Sequence, residues 1–320
     1  MKAQLTKRLI LFIALLSVQV VYAAMPKLTV VTSTQVTYSL ASELTKGTSI
    51  QVINVPERGR NLNAQPDYFR RDQDKLVETF EKAGAVIIIG KLWADDALYT
   101  AVRQHNIRVV PIDATQPWSA TLPGIAVVSQ PSTIAPWQRG ETNVDSNQSS
   151  IYFWHSLSNA IRSADIIADD LKALVPEDAT KIQANLLALG ARLRELKNQY
   201  EGQFAEVANI NVFLLADEFV YLTNEMGLFV EGYFVKQDID WQQSDYQNLT
   251  NYLKENEINV VIHKWEPAEA IRKAIAAAGA RLVILDTIDP GLVADKKLQP
   301  EGYFTLMESN LDLLYKALRQ

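Results

Sequence analysis

The sequence predicts an α/β protein of two lobes, each built on a mostly parallel sheet, joined by a long rigid backbone helix. Two observations carry this. Strand-like and helix-like segments alternate along both halves of the chain, and one long stretch, Pro176 to Val207, separates the two runs. Its apolar positions fall at Ile182, Leu186, Leu189, Leu193, Leu196, Tyr200 and Phe204, a single stripe on a helix about 45 Å long. The expected organisation is therefore an export signal at 1–23, a first lobe at 24–175, a connecting helix at 176–207 and a second lobe at 208–320.

The chain starts with an export pattern. Lys2, Lys7 and Arg8 precede the apolar run Leu9 to Leu16, and Val21-Tyr22-Ala23 offers the residues read by a signal peptidase, so cleavage is expected after Ala23. The run is too short to span a bilayer, and no later segment of that length is free of charges, so no stable membrane insertion is expected after cleavage. The 320 residues contain no Cys, which excludes disulfides, lipid attachment through a thiol, thiolate catalysis and Cys-ligated zinc. The expected compartment is the periplasm. Removing the signal leaves 28 basic against 37 acidic residues, a formal net charge of −9, so nucleic acid is excluded as a partner.

In the first half, Leu28 to Thr32 and Ser49 to Val55 read as strands around a short helix at Tyr38 to Thr45. A helix at Asp72 to Ala83, a continuous apolar strand at Ala85 to Ile89, a helix at Asp95 to His105 and a strand at Arg108 to Ile112 repeat the alternation. Thr115 to Ser150, with Pro117, Pro123, Pro131 and Pro136 and the polar run Gly140 to Ser150, reads as an irregular crossover, with mobility expected near Asn143 to Ser149. A helix at Ser156 to Leu174 leads to Pro176, Glu177 and Asp178, a favourable start for the connecting helix.

The second half reads as strand Asn211 to Leu215, helix Glu218 to Met226, strand Leu228 to Tyr233, helix Tyr246 to Asn256 and strand Asn259 to Ile262. Helix Pro267 to Ala278, strand Arg281 to Leu285 and a closing helix Phe304 to Leu318 complete it. Ligands in open α/β sheets sit beyond the carboxyl ends of the strands. The residues to inspect are thus Ser33 and Thr34, the loop Pro56 to Gln65, Gly90 to Trp93, Ala216 to Glu218, His263 to Glu266, and Asp286 to Asp289.

Lys27-Leu-Thr-Val-Val-Thr32, Ala83-Gly-Ala-Val-Ile-Ile-Ile-Gly90, Asn159-Ala160 opening an Ile-Ala-rich helix, and Met226-Gly-Leu228 before a strand occur in that order. Leu282-Val-Ile-Leu-Asp286 and Tyr303-Phe-Thr-Leu-Met307 with Asn310-Leu311 follow. In this order and spacing the chain resembles the TroA-like, ZnuA-like substrate-binding proteins of zinc and manganese ABC transporters, the periplasmic metal receptors. The resemblance covers nearly all of the chain beyond the signal. It implies a monomeric receptor that captures a divalent metal ion, zinc or manganese, between the lobes and delivers it to an inner-membrane permease.

The resemblance also implies four metal ligands, usually histidines with one aspartate. The first position falls on Leu62 or Asn63, the second on Tyr152 with Trp154 retained and His155 just beyond, the third on Ala216 beside Asp217 and Glu218. Only the fourth, Asp286, keeps its expected chemistry. Zinc prefers four ligands from imidazole, thiolate and carboxylate, so replacements are required. His155, Glu218, His263 and Asp286 form the expected substitute set, with Asp217, Tyr152 and Asn63 as further candidates. Arg58, Arg60, Arg70 and Arg71 cluster near the first position; an arginine at the mouth would favour an anionic or chelated solute. The alternative to metal capture is a paralogue that binds no free metal and serves a chelate, an anionic solute or a protein partner.

Catalysis has little sequence support and stands third behind the two binding readings. Gly-x-Ser-x-Gly, Gly-x-x-x-x-Gly-Lys-Ser/Thr, Gly-x-Gly-x-x-Gly and His-Glu-x-x-His are all missing from the chain.

Overall fold

The computed structural model describes residues 27–138 and 148–320. The export signal, its cleavage point at Ala23 and most of the 140–150 segment lie outside the described residues.

The first sheet is formed by β1 (Leu28–Thr32), β2 (Ile50–Asn54), β3 (Ala85–Ile88) and β4 (Val110–Asp113). Their order is β2-β1-β3-β4, with every pairing parallel. Helices α1 (Gln35–Leu44), α2 (Gln65–Arg71), α3 (Gln73–Lys82), α4 (Leu98–His105) and α5 (Leu157–Leu174) accompany it. The continuous apolar strands are what a sheet covered on both faces requires: Val30, Val31, Ala85, Val86 and Ile87 have no exposed surface.

The connecting helix is α6 (Ala179–Ala205), preceded by a 3-10 turn at Pro176–Asp178. Its stripe is core: Ile182, Leu189, Leu193, Tyr200 and Phe204 are buried, with Leu186 and Leu196 packed beside them. The second sheet contains β5 (Asn211–Leu214), β6 (Phe229–Tyr233), β7 (Val260–His263) and β8 (Arg281–Ile284), in the order β6-β5-β7-β8 and again parallel throughout. Helices α7 (Val220–Glu225), α8 (Gln243–Glu255) and α9 (Glu269–Ala277) connect its strands. A small antiparallel hairpin, β9 (Val293–Ala294) and β10 (Lys297–Leu298), precedes the closing helix α10 (Gly302–Arg319).

One hydrophobic core runs from the first sheet through α5 and α6 into the second. Satellite cores lie around Phe69 and Phe80 in the first lobe, and around Phe213 and Trp241 in the second. The closing helix packs on α1 and α6 as well as on β8, so the chain end returns to the first lobe.

In each sheet the connections diverge from one point, between β1 and β3 in the first and between β5 and β7 in the second. Crevices form at such points because neighbouring loops leave in opposite directions. Ser33 follows β1, Ala216 to Glu218 lie shortly after β5, and Lys264 directly follows β7.

Candidate metal-solute cleft

A cavity of about 600 Å³ opens between the lobes. The first lobe contributes Asn61, Asn63 and Asp67 from the loop and short helix after β2, together with Tyr152 from the crossover. The second contributes Glu218, Lys264, Trp265, Asp286, Thr287 and Asp289 from the loops after β5, β7 and β8. These are the loops marked in the sequence as strand ends.

Glu218 is only 4% exposed. One carboxylate oxygen is ion-paired to the Lys264 ammonium, while its other oxygen, Oε2, has no hydrogen-bond partner. Burial raises its pKa, and Lys264 offsets part of that rise. The ammonium also lies 4.9 Å from the centre of the Trp265 ring. The indole of that ring donates to Asp238 at 3.3 Å, which holds it in place.

Asp286 and Asp289 are set by the turn after β8. Asp286 Oδ1 accepts the Ile288 backbone N–H at 2.6 Å, and its own backbone is clamped at both N–H and C=O by Asn310 of α10, at 2.8 and 2.7 Å. Ile288 adopts a φ of 62°, a left-handed conformation that is costly for a β-branched residue. Its side chain is 1% exposed, and that burial helps hold the turn. Asp289 Oδ1 reaches across to accept the Leu62 N–H at 2.8 Å, tying the two lobes together at the cavity wall. Burial pushes the Asp289 carboxyl up to about 6, opposed by the Leu62 bond and reinforced by the charge of Glu218. Tyr152 is shifted upward by burial first, then by Glu218, Asp289 and Asp217.

The expected set of His155, Glu218, His263 and Asp286 is not brought together. Glu218 and Asp286 line the cavity; neither imidazole is among its lining residues. His155 ends the 3-10 turn Phe153–His155 with no exposed surface, its ring 5.1 Å from Phe219 and 6.5 Å from Tyr152. Neither ring nitrogen makes a hydrogen bond of good geometry; the Thr287 carbonyl, which accepts the Trp154 indole N–H at 2.9 Å, lies near the ring. Burial pulls its pKa down to about 3. His263 is the last residue of β7, 2% exposed and 4.5 Å from the Trp265 ring; burial lowers it to about 4, with Asp238 opposing. Among the described residues no three His, Asp or Glu side chains converge closely enough to hold a metal ion. Each imidazole is absorbed into aromatic packing instead of presenting a lone pair to the cavity.

Of the further candidates, Asn63 and Tyr152 line the cavity, whereas Asp217 accepts from Gln130 at 2.9 Å and is not among the lining residues. None of Arg58, Arg60, Arg70 and Arg71 is among them. Lys264, Asp289, Trp265, Asn61 and Asp67 are not singled out in the sequence, and Asp67 lies two residues beyond the nearest marked loop. The signal was positional: Asn61, Lys264, Trp265 and Asp289 all lie within the marked strand-end loops, but a lysine has no metal-ligand signature.

Solved structures share this architecture. An FpvC mutant from Pseudomonas aeruginosa superposes with a TM-score of 0.72 at 21% identity, covering 91% of this chain and 99% of that one. The Zn(II)-bound ZnuA-like domain of AdcA from Streptococcus pneumoniae gives 0.66 at 17% identity, covering 92% and 100%. A metal-free periplasmic metal binding protein mutant from Candidatus Liberibacter asiaticus gives 0.69 at 17%, covering 91% and 100%. At such identities the likeness shows the fold. No curated protein sequence shows significant similarity to the chain. Among the described residues no helix is long and apolar enough to cross a membrane. The family model ZnuA, the zinc-uptake complex component A, periplasmic, matches residues 30–317. The chain therefore belongs to that family of metal-binding solute-binding proteins of ABC transporters, a transport family and not an enzymatic one.

Proposed function

We propose that the protein is the receptor of a metal-ion uptake system, capturing a divalent cation, zinc or manganese, in the interlobe cleft and delivering it to an inner-membrane permease. The observation that carries this reading is the charge of the cavity: Asp67, Glu218, Asp286 and Asp289 face it against a single ammonium, Lys264. A low-dielectric cleft with that balance attracts and concentrates cations. Its charged donors are carboxylates and its neutral ones amide and hydroxyl groups, a set that suits manganese better than zinc because imidazole and thiolate are missing from the lining.

A titration of metal-stripped protein with manganese and zinc tests this. Asp286→Asn is the informative variant, since an amide oxygen still accepts the Ile288 N–H while the charge is lost. Binding by the native chain and at least tenfold weaker binding by the variant are expected. At a hundredfold excess over the dissociation constant, a ligand stabilises the fold by about 2.7 kcal/mol, which a melting curve resolves. The reading fails if no divalent ion gives either heat or a melting shift.

A second reading is favoured by two specific observations. The cavity, at about 600 Å³, has the size of a small-molecule site, and no three ligating side chains converge in it. Both suit a cation that arrives with part of its coordination shell supplied by a ligand of its own.

A further inference from the structure

We propose that the cargo is a one-to-one complex of a divalent metal with a small α-aminocarboxylate, whose carboxylate takes Lys264 while the Glu218 oxygens it frees face the metal. This rests on the second reading above and names the ligand that accompanies the ion.

Lys264 and Glu218 form an adjacent positive and negative pair on the cavity wall, and behind that wall the second Glu218 oxygen, Oε2, is buried without a hydrogen-bond partner. A carboxylate oxygen left unpaired at 4% residue exposure costs free energy that a bound group would recover. A bare divalent ion can reach that carboxylate, but its charge then sits beside the Lys264 ammonium with nothing between them. A metal complex carrying its own carboxylate avoids the conflict. The ligand's anionic group faces the ammonium, the metal faces Glu218, and one ion pair is exchanged for two.

Charge selects among such complexes. Four carboxylates against one ammonium leave an excess of three negative charges around the cavity. A divalent metal with a singly charged aminocarboxylate is a cation overall and is accepted. With a triply charged hydroxycarboxylate the complex is an anion and is repelled. The Trp265 ring, fixed through Asp238, supplies an apolar wall for the ligand's side chain beside the ammonium.

Calorimetry on the metal-stripped full chain tests the proposal with four titrants: zinc alone, histidine alone, zinc with equimolar histidine, and zinc citrate. Zinc–histidine is expected to bind at least tenfold more tightly than zinc alone, with histidine alone and zinc citrate weaker than the complex. In Lys264→Met the advantage of the complex over zinc alone should disappear. Equal binding of zinc–histidine by the native chain and Lys264→Met overturns the proposal, as does tighter binding of histidine alone or of zinc citrate. Acylation of lysines read by mass spectrometry gives an answer in the native chain, whatever the variant's stability. Zinc–histidine should protect Lys264 several-fold relative to zinc alone, and unchanged labelling counts against the exchange. Native binding of zinc and zinc–histidine with equal affinity removes this proposal and leaves the receptor reading standing; binding of neither removes this proposal, and the receptor reading falls with it when manganese also gives no heat.

Discussion

A histidine without exposed surface whose two nitrogens lack partners is a pH liability. His155 titrates at about 3 in the folded chain against 6.5 for an ordinary histidine. Between those values the unfolded chain takes up a proton that the folded one refuses, so stability is lost as pH falls below 6.5. From pH 6.5 to 5 that single group costs about 2 kcal/mol. His155→Leu, which keeps the volume and removes the titration, should therefore show a clearly smaller fall in melting temperature between pH 7 and pH 5 than the native chain. An identical fall would mean that His155 does not govern acid sensitivity. His263, at about 4, acts in the same direction and stays in both proteins. Asp289 acts oppositely: its folded pKa of about 6 lies above the usual carboxylate value, so its contribution is largest at low pH and is lost as pH rises through 6. The same residues show where sequence reading ends. The resemblance points to His155 and position at a strand end to His263, yet whether a ring faces the cavity or the aromatic layer behind it depends on the 3-10 turn at Phe153–His155 and on the Trp265 ring, neither of which the local sequence determines.

At the scale of elements, the start of α1 and the segment from Gly291 to Gly302 form a clasp between the lobes. Gln35 is 1% exposed; its Oε1 accepts the Leu292 N–H at 2.9 Å, and its Nε2 donates to the Gln299 carbonyl at 2.9 Å and to Ser39 at 2.8 Å. Gly291 stands at φ 78°, and a Cβ there would lie 2.5 Å from Gln35 Oε1, so the close approach requires glycine. Gln35→Ala leaves the partly buried Leu292 N–H and Gln299 carbonyl without this partner. A loss of about 1–3 kcal/mol is expected for one such orphan, measurable by urea unfolding, and no change in midpoint would show that solvent replaces the clasp. The sequence made the long elements legible. The connecting helix, expected at Pro176 to Val207, is α6 with its preceding turn, and the β3 strand shows the continuous apolar run of a doubly covered sheet. Short elements were not legible. The strands β9 and β10 have two residues each and mostly exposed side chains, so no alternation marks them; α2 has seven residues and follows a loop rich in charge. The α4 helix starts at Leu98 and not at Asp95, because Asp96 turns back to accept the Ile89 and Leu98 N–H groups and stays outside the helix.

For the whole molecule, the question is how far the lobes move when the cleft fills. Three kinds of restraint cross between them. The α6 rod is packed through both, with its stripe in a core that is continuous across the molecule. The clasp at Gln35 is joined on the same side by the Leu298 N–H donating to the Glu57 carbonyl at 2.6 Å and by Asp289 accepting from Leu62. In addition, the Tyr303 hydroxyl donates to the Trp154 carbonyl at 2.8 Å, and Glu225 at the end of α7 accepts from the first amides of α5, at 2.5 and 2.9 Å. A hinge needs a few residues free to absorb large backbone rotations, and these contacts place helices and paired backbone where such residues would lie. Loading should then change loops and side chains within the cavity, not the angle between the sheets. Small-angle scattering of the metal-stripped and loaded chain is expected to give indistinguishable radii of gyration. A contraction on loading would show that the clasp opens in solution, and Gln35→Ala, which weakens it, should then exaggerate the difference.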